Sequence, residues 1–223
     1  MNESQVRALE VLAQEYDYGR GRLHAHKVAD LSTSLFDQLQ WHELLPGSTL
    51  DDRRILTAAS YCHDIGMSPR AQQEARAIST RLTETVEAGQ YAGVTAFDAL
   101  RTRLSSPLVP PGLNPLSADD RSLLLYTMLW QAWGTPYAVD GESLVNRSTS
   151  QVLAGILRIA DGLDWRLRMR VRQLQVQKAS AWLRILVRTL APASEEVTEA
   201  QKRSDLLAQT LGRRLVVQEV LEE

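Results

Sequence analysis

The stretch STSQVLAGILRIADGLDWR, residues 148–166, combines the periodicity of a buried helix with acidic side chains on its apolar stripe. Apolar residues recur at spacings of three and four, which is the pattern of a helix that packs against a core. Asp161 and Asp164 continue the stripe formed by Leu153 and Leu157. A buried carboxylate is costly unless an arginine, a protonated histidine or a metal ion compensates its charge. The stretch therefore predicts a core helix that contributes an acid to a polar site.

Asp161 alone does not decide between these partners. Arg158 lies three residues earlier on the same predicted helix, where it can form an ordinary salt bridge with Asp161. A structural ion pair and a metal site are both consistent with this residue, and other parts of the chain must distinguish them.

The four histidines all lie within the first 63 residues: His24, His26, His42 and His63. His24 precedes Val28 by four residues and continues the apolar stripe of residues 23–39, LHAHKVADLSTSLFDQL. We therefore expect the side chain of His24 to face the core and that of His26 to face outward. A hydrogen-bonded core histidine remains the alternative to a metal ligand at His24.

A histidine and an aspartate stand side by side in YCHDIGMS, residues 61–68, at the end of a predicted helix. Neighbouring side chains at a helix end can converge on one ligand, although a terminal pair without a ligand fits equally well. Together with His24 and Asp161 on the two inward-facing stripes, the pair provides two imidazoles and two carboxylates. This donor set suits one divalent ion of Mn, Mg, Co, Fe or Zn, and its members are His24, His63, Asp64 and Asp161.

The composition restricts the class of protein. One cysteine in 223 residues excludes a disulfide framework and fits a reducing compartment. The N-terminus lacks the apolar core of an export signal and no apolar run reaches membrane-spanning length, so we expect a cytoplasmic protein with no membrane partner. A net charge of −2 makes nucleic acid an unlikely ligand. The arginines of RLRMRVR, residues 166–172, can attract an anion or can simply face water.

The predicted fold is mainly α, with a helical body over residues 1–168 and a small α+β tail over residues 169–223 packed on it. Further body helices are predicted over 50–66, 71–88, 92–104 and 118–133, the last capped by Ser117. The proline-rich stretch 104–117 predicts a loop. The tail reads as three strands, 171–177, 182–188 and 214–220, with one helix over 194–212 that ends at Gly212.

The ordered motifs resemble those of the HD-domain superfamily, which has a His, then a His-Asp pair, then a distant Asp. The chain is most similar to one branch, the C-terminal HD domain of the exopolyphosphatase and guanosine pentaphosphate phosphatase family. Members of this branch have similar segments in the same order as HAHKVADLSTSLFDQL, AASYCHDIGM, GILRIADGLDWR and EAQKRSDLLAQTLGRRLVV. The resemblance covers almost the entire chain, and its specificity comes from the ordered set rather than from any single motif.

The resemblance implies an HD-type helical bundle in which His24, His63, Asp64 and Asp161 bind a metal ion. Asp64 would also take part in catalysis through proton transfer, while water activated by the metal attacks a phosphorus atom. The candidate residues for binding the substrate phosphate are Lys27, Arg158 and the arginine cluster that begins at Arg166.

Two departures from the family pattern refine this expectation. Many members carry further histidines after the His-Asp pair, whereas residues 68–82 contain none and Gln131 stands where another is expected. A single metal ion is therefore expected rather than a dinuclear centre. Because the sequence contains no ATPase-like region with glycine-rich phosphate loops, we do not expect polyphosphate hydrolysis.

The favoured function is a metal-dependent phosphohydrolase of the HD type that acts on a small phosphorylated compound or nucleotide. The alternative is a catalytically weak or inactive HD domain with a regulatory or scaffold role, which binds a phosphate-rich ligand or a protein partner. A homodimer is compatible with either function.

Overall fold

The computed structural model describes residues 2–14, 21–65, 117–131 and 144–222. Within these ranges the chain is mainly helical and has a three-stranded sheet near its C-terminus, as predicted. The helices are α1 (Glu3–Gln14), α2 (Gly21–Trp41), α3 (Leu50–Cys62), α4 (Ala118–Gln131), α5 (Leu144–Leu163), α6 (Ser194–Lys202) and α7 (Asp205–Leu211). The strands are β1 (Val171–Lys178), β2 (Trp182–Thr189) and β3 (Arg214–Leu221). The helices predicted over 71–88 and 92–104 and the loop predicted over 104–117 lie almost wholly outside the described residues.

Local capping explains where two of the body helices begin. Thr49 and Asp52 form a capping box at α3, in which each side chain bonds the backbone N–H of the other at 3.2 and 2.7 Å. At α4 the Ser117 hydroxyl accepts a hydrogen bond from the N–H of Asp120 at 3.0 Å, which confirms the predicted cap. Helix α3 ends at Cys62 rather than at Gly66, which lies outside the described residues.

One hydrophobic core joins the helices to the sheet. Phe36 of α2, Ile55 of α3, Leu157 of α5 and Ile185 of β2 are each at most 1% exposed and belong to the same cluster of packed side chains. Side chains alternate along β2, so that Leu183, Ile185 and Val187 share one buried face. Helix α5 contacts α2, α3, α4, α6 and α7, so it lies at the centre of the described helices.

The sheet is mixed, with strand order β1-β2-β3. Strands β1 and β2 form an antiparallel pair, while β2 and β3 run parallel. A parallel pair needs a crossover connection, and α6 with α7 provides it.

Each outer strand of the sheet bonds to the side-chain amide of a glutamine. Gln38 of α2 donates to the carbonyl of Leu174 at 2.8 Å and accepts from the N–H of Val176 at 2.7 Å. Gln201 of α6 makes the same two bonds to backbone groups of β3 at 3.3 and 2.8 Å. Each amide thus occupies backbone groups that a further strand would use.

The single helix predicted over 194–212 is wrong, because the structure has two helices separated at Arg203 and Ser204. The Ser204 hydroxyl bonds the carbonyl of Gln201 at 2.7 Å, which satisfies a backbone group at the end of α6. The break lets α6 and α7 pack separately along α5. The predicted end of the second helix is confirmed, since Gly212 adopts the left-handed conformation with φ 60°.

Two glycines of α5 allow this close packing. A Cβ atom at Gly162 would lie 2.8 Å from the Cα of Ala200 in α6, and one at Gly155 would lie 2.9 Å from the backbone nitrogen of Leu207 in α7. Neither position can take a larger residue without movement of a neighbouring backbone.

Across the described residues, no helix has both the length and the apolar character needed to span a membrane.

Candidate metal centre

Three helices bring the four predicted ligands together, although they are far apart in the sequence. His24 lies in the first turn of α2, His63 and Asp64 follow the end of α3, and Asp161 lies in the last turn of α5. All four residues are buried, with exposed fractions between 2% and 6%. The inward orientation predicted for His24 and for Asp161 is therefore confirmed.

The donor atoms of these residues surround a small space. Nε2 of His24 lies 3.2 Å from Nε2 of His63. Oδ2 of Asp64 lies 3.6 Å and 3.5 Å from the same two nitrogens, and Oδ1 of Asp161 lies 3.3 Å and 3.6 Å from them. His24, His63 and Asp64 form a buried group that could hold a metal ion.

The hydrogen bonds of the two imidazoles fix which nitrogens face this space. Nδ1 of His63 lies 2.7 Å from the carbonyl oxygen of Ser60, and Nδ1 of His24 lies 2.9 Å from Oδ2 of Asp164. A carbonyl or carboxylate oxygen only accepts, so both Nδ1 atoms carry the proton. In their neutral forms both rings then point an Nε2 lone pair at the other. Two lone pairs at 3.2 Å repel unless a cation, either a proton or a metal ion, lies between them.

The electrostatics of the two histidines agree with this geometry. Burial alone would lower the pKa of His24, but hydrogen bonds to Asp161 and Asp164 and the charges of Asp161 and Asp64 outweigh it and raise that pKa to about 9. Burial also opposes the charge of His63, yet the nearby Asp64 and Asp161 carboxylates raise its pKa overall. The negative charge around the imidazoles attracts a cation, and a divalent ion at this position has to compete with a proton.

Asp164 has a role that the sequence analysis did not assign to it. Its Oδ2 orients His24, and its Oδ1 accepts a hydrogen bond from the N–H of Met169 at 3.0 Å. Metal-binding histidines commonly donate their second N–H to a carboxylate, which fixes the tautomer and the ring orientation. The available signal was its position on the α5 stripe, three residues after Asp161.

Arg203 is the second residue of the site that sequence reasoning missed. Its Nη1 donates to Oδ2 of Asp161, and its Nε donates to Glu199 at 2.9 Å. Burial would raise the pKa of Asp161, but hydrogen bonds from His24 and His63 and the charge of Arg203 hold it well below its ordinary value. Asp161 is therefore a carboxylate with one oxygen facing the imidazoles and the other facing a guanidinium.

Arg158, which the sequence offered as one alternative partner of Asp161, bonds other groups among the described residues. Its Nη1 lies 3.3 Å from Oδ1 of Asp205, and its Nε donates to the backbone carbonyl of Gln131 at 3.2 Å. The arginine that meets Asp161 comes from the connection between α6 and α7 and not from its own helix.

The predicted substrate-binding residues lie in three different settings. Arg158 is 7% exposed, one turn before Asp161. Lys27 is half-buried on α2, one turn after His24. Arg166 is exposed, bonds to Glu195 at 3.0 Å and stacks on the ring of Trp165. Binding of a substrate phosphate by these three residues stays a prediction.

The remaining histidines have structural contacts outside the cluster. His26 is partly exposed, as predicted, and its Nε2 lies 3.1 Å from a carboxylate oxygen of Glu10 in α1. Nε2 of His42 bonds the carbonyl oxygen of Val176 at 3.0 Å and thereby fixes the end of α2 to β1.

Two clefts lined by described residues lie away from the cluster. The larger, with a volume of about 420 Å³, is bordered by the α2–α3 connection, α5 and the end of α7. The other, of about 350 Å³, lies between α1 and α3. Neither is lined by any of the four predicted ligands, so the chemistry of the donor atoms, and not the size of a cleft, identifies this site.

No model of a known protein family matches the chain, and no curated protein sequence matches it significantly.

Proposed function

We propose that the chain is a metal-dependent phosphohydrolase of the HD type with a single divalent ion, acting on a small phosphorylated compound or nucleotide. One observation carries the proposal: two buried imidazoles direct their Nε2 atoms at each other while hydrogen bonds hold both Nδ1 atoms. A structural histidine pair has no need of that arrangement, whereas a cation site does. The ordered resemblance to the HD signature supports the reaction class.

In this proposal His24, His63, Asp64 and Asp161 would hold the ion. A bound divalent ion supplies Lewis acidity that polarises a phosphoryl oxygen and makes water more acidic near neutral pH. The Asp64 carboxylate would accept a proton from the water that attacks phosphorus, while the P–O bond to the leaving oxygen breaks and that oxygen takes up a proton from solvent. Asp164 keeps the His24 ring in the tautomer that binds a metal. Lys27 and Arg158 would neutralise the phosphate of the substrate.

A second candidate function is favoured by the contact between Arg203 and Asp161. A guanidinium on this carboxylate compensates part of the charge without a metal ion. That is compatible with an inactive HD domain that has a regulatory or scaffold role and binds a phosphate-rich ligand or a protein partner.

The two candidates are separated by metal content and turnover measured on the same preparation. We expect chelator-treated protein to take up one Mn²⁺ or Co²⁺ ion per chain and then to hydrolyse some members of a panel of phosphomonoesters and nucleotides. The variants His63→Ala and Asp161→Ala should lose at least 100-fold in turnover. His42→Ala is the matched control, since that imidazole bonds β1 and not the cluster.

The outcomes distinguish three cases. Uptake of an ion without turnover on any compound would favour the regulatory function. Failure of the wild-type chain to take up any divalent ion at neutral pH would contradict the metal centre. Turnover that survives in His63→Ala would contradict the assigned site.

A further inference from the structure

We infer that Arg203 is a positioning residue of the metal centre, through which the C-terminal segment of the chain sets the affinity for the ion. Arg203 holds Oδ2 of Asp161 so that Oδ1 is presented to the two imidazoles. This inference rests on the proposed metal centre and adds to it a residue that lies 42 positions downstream of the last predicted ligand.

The two oxygens of Asp161 have separate partners. Oδ1 lies 3.3 Å from Nε2 of His24 and 3.6 Å from Nε2 of His63, while Oδ2 accepts from the Arg203 guanidinium. The side chains of Asp161 and Arg203 are only 5% and 13% exposed, so water competes little for either. A buried carboxylate bonded from both ends has one orientation available, and this one aims Oδ1 at the cluster.

Arg203 is itself held in place by the helix it terminates. Its Nε donates to Oε1 of Glu199 at 2.9 Å, and its backbone N–H donates to the Glu199 carbonyl at 3.1 Å. The close contact of Gly162 with Ala200 brings α6 against α5 one residue from Asp161 and three residues from Arg203. The break between α6 and α7 therefore places the guanidinium at the last turn of α5.

The charges fit one divalent ion. The carboxylates of Asp64, Asp161 and Asp164 contribute three negative charges around the imidazoles, and Arg203 contributes one positive charge. Glu199 is balanced by Lys202, whose Nζ lies 3.5 Å away. Counted over the described residues alone and with neutral histidines, these carboxylates and the guanidinium have a net charge of −2, which matches the charge of one divalent ion. Removing the charge of Arg203 makes this sum one unit more negative.

A positioning role and a purely electrostatic role for Arg203 predict opposite changes in metal affinity when its charge is removed. If Arg203 acted only through its charge, Arg203→Gln would bind a divalent cation more tightly, because a repelling charge is gone. If it positions Asp161, the variant binds the cation more weakly. Loss of an outer partner of a metal ligand typically lowers affinity by about 10–100-fold, and we expect a loss in this range.

The test is titration of the chelator-treated full-length chain with Co²⁺, followed by its visible absorption. We expect Arg203→Gln to bind about 10–100-fold more weakly and to give an altered d–d band, since the orientation of one ligand changes. Arg203→Lys keeps the charge but not the forked geometry, so its Co²⁺ affinity should lie between those of the wild-type chain and Arg203→Gln. The control is Arg53→Gln, which removes the same kind of charge from a surface pair with Asp37 and should match the wild-type chain.

The readouts separate this inference from the proposal on which it rests and from a merely structural role. If the wild-type chain binds no Co²⁺, the metal centre itself is wrong, and this inference goes with it. If the wild-type chain binds Co²⁺ and Arg203→Gln binds with equal or higher affinity and the same spectrum, only the role of Arg203 is wrong. Circular dichroism of the metal-free variants reports folding independently. Should Arg203→Gln not fold, Arg203→Lys decides, because an unchanged affinity and spectrum there would overturn the positioning role.

Discussion

Helix α5 meets its neighbours on two sides by different means. Towards α2 and α3 it presents Asp161 and Asp164 to a buried pair of imidazoles. Towards α6 and α7 it presents Gly155 and Gly162, where the backbones come so close that no Cβ atom fits. On the first side, the burial of charged groups lowers the stability of the fold. On the second side, close packing of the helices raises it.

The two sides of α5 are linked through Asp161. Asp161 contributes one oxygen to the imidazoles and the other to Arg203, on the side that packs by glycine. A change in the packing of α5 against α6 should therefore change the affinity of the cluster for a cation.

The largest effect is expected for Asp161→Asn, which alters both sides at once. The change leaves Glu199 as the carboxylate that still bonds the Arg203 guanidinium, so the cost should be at or below the low end of the roughly 3–5 kcal/mol typical of a broken buried ion pair. It also removes a ligand charge, so affinity for Mn²⁺ or Co²⁺ should fall by more than about 100-fold. Urea unfolding and metal titration measure the two effects. Asp37→Asn is the control, because its carboxylate is 47% exposed and pairs with Arg53 on the surface, where the cost should stay under about 1 kcal/mol.

A pH titration probes the imidazole side alone. The pKa of His24 is raised from 6.5 in the unfolded chain to about 9 in the folded chain without metal. The resulting stability is complete below pH 6.5 and is lost as the pH rises through about 9, by on the order of 3 kcal/mol. With saturating Mn²⁺ the stability should instead increase as the pH rises, because the ion binds the neutral imidazoles. Melting temperatures between pH 6.5 and 9.5, with chelator or with Mn²⁺, give the two curves. Parallel curves would contradict the assignment.

Gly162→Ala probes the glycine side. The new Cβ would lie 2.8 Å from the Cα of Ala200, so a backbone must move, at a cost of about 1–3 kcal/mol. Gly155→Ala is the matched variant, with a similar clash against Leu207 but at a position six residues from Asp161, whereas Gly162 is next to it. We expect comparable losses in melting temperature, with a severalfold loss of Co²⁺ affinity only in Gly162→Ala. Equal Co²⁺ affinities in the two variants would show that the sides of α5 are independent.

The smallest effect is expected for Arg166→Gln, which touches neither side. Arg166 is exposed and pairs with the exposed Glu195, a type of contact worth about 0–1 kcal/mol. The melting temperature and the metal affinity should stay close to those of the wild-type chain. A rise in KM for a phosphorylated substrate with an unchanged metal affinity would support the predicted contact with substrate, whereas a tenfold loss of metal affinity would place Arg166 in the centre instead.

Much of the helical body follows from local pattern. The apolar stripes of α2 and α5 predict both the helices and the inward direction of His24 and Asp161, because helical periodicity fixes which side chains share a face. The sequence also predicts the Ser117 cap and the Gly212 stop, which depend only on neighbouring residues. The same local pattern predicts the three strands of the C-terminal sheet to within a residue or two.

What the sequence could not predict depends on contacts between distant segments. The helical pattern of residues 194–212 continues across Arg203, whereas the structure has two helices that each lie against a different glycine of α5, Gly162 for α6 and Gly155 for α7. The sequence offered Arg158, three residues away, as one alternative partner of Asp161, and the arginine that bonds Asp161 is Arg203. Asp164 meets His24 across 140 residues, which no spacing rule reveals.

The glutamines at the sheet margins bear on how copies of this chain can associate. Gln38 and Gln201 each bond one carbonyl and one N–H in the middle of an outer strand, so a neighbouring molecule that lengthened the sheet along the full strand would first have to displace a side-chain amide. Strand addition, a common route to unwanted polymers, is thereby disfavoured, and any symmetric pair of these chains should be sought on helical surfaces.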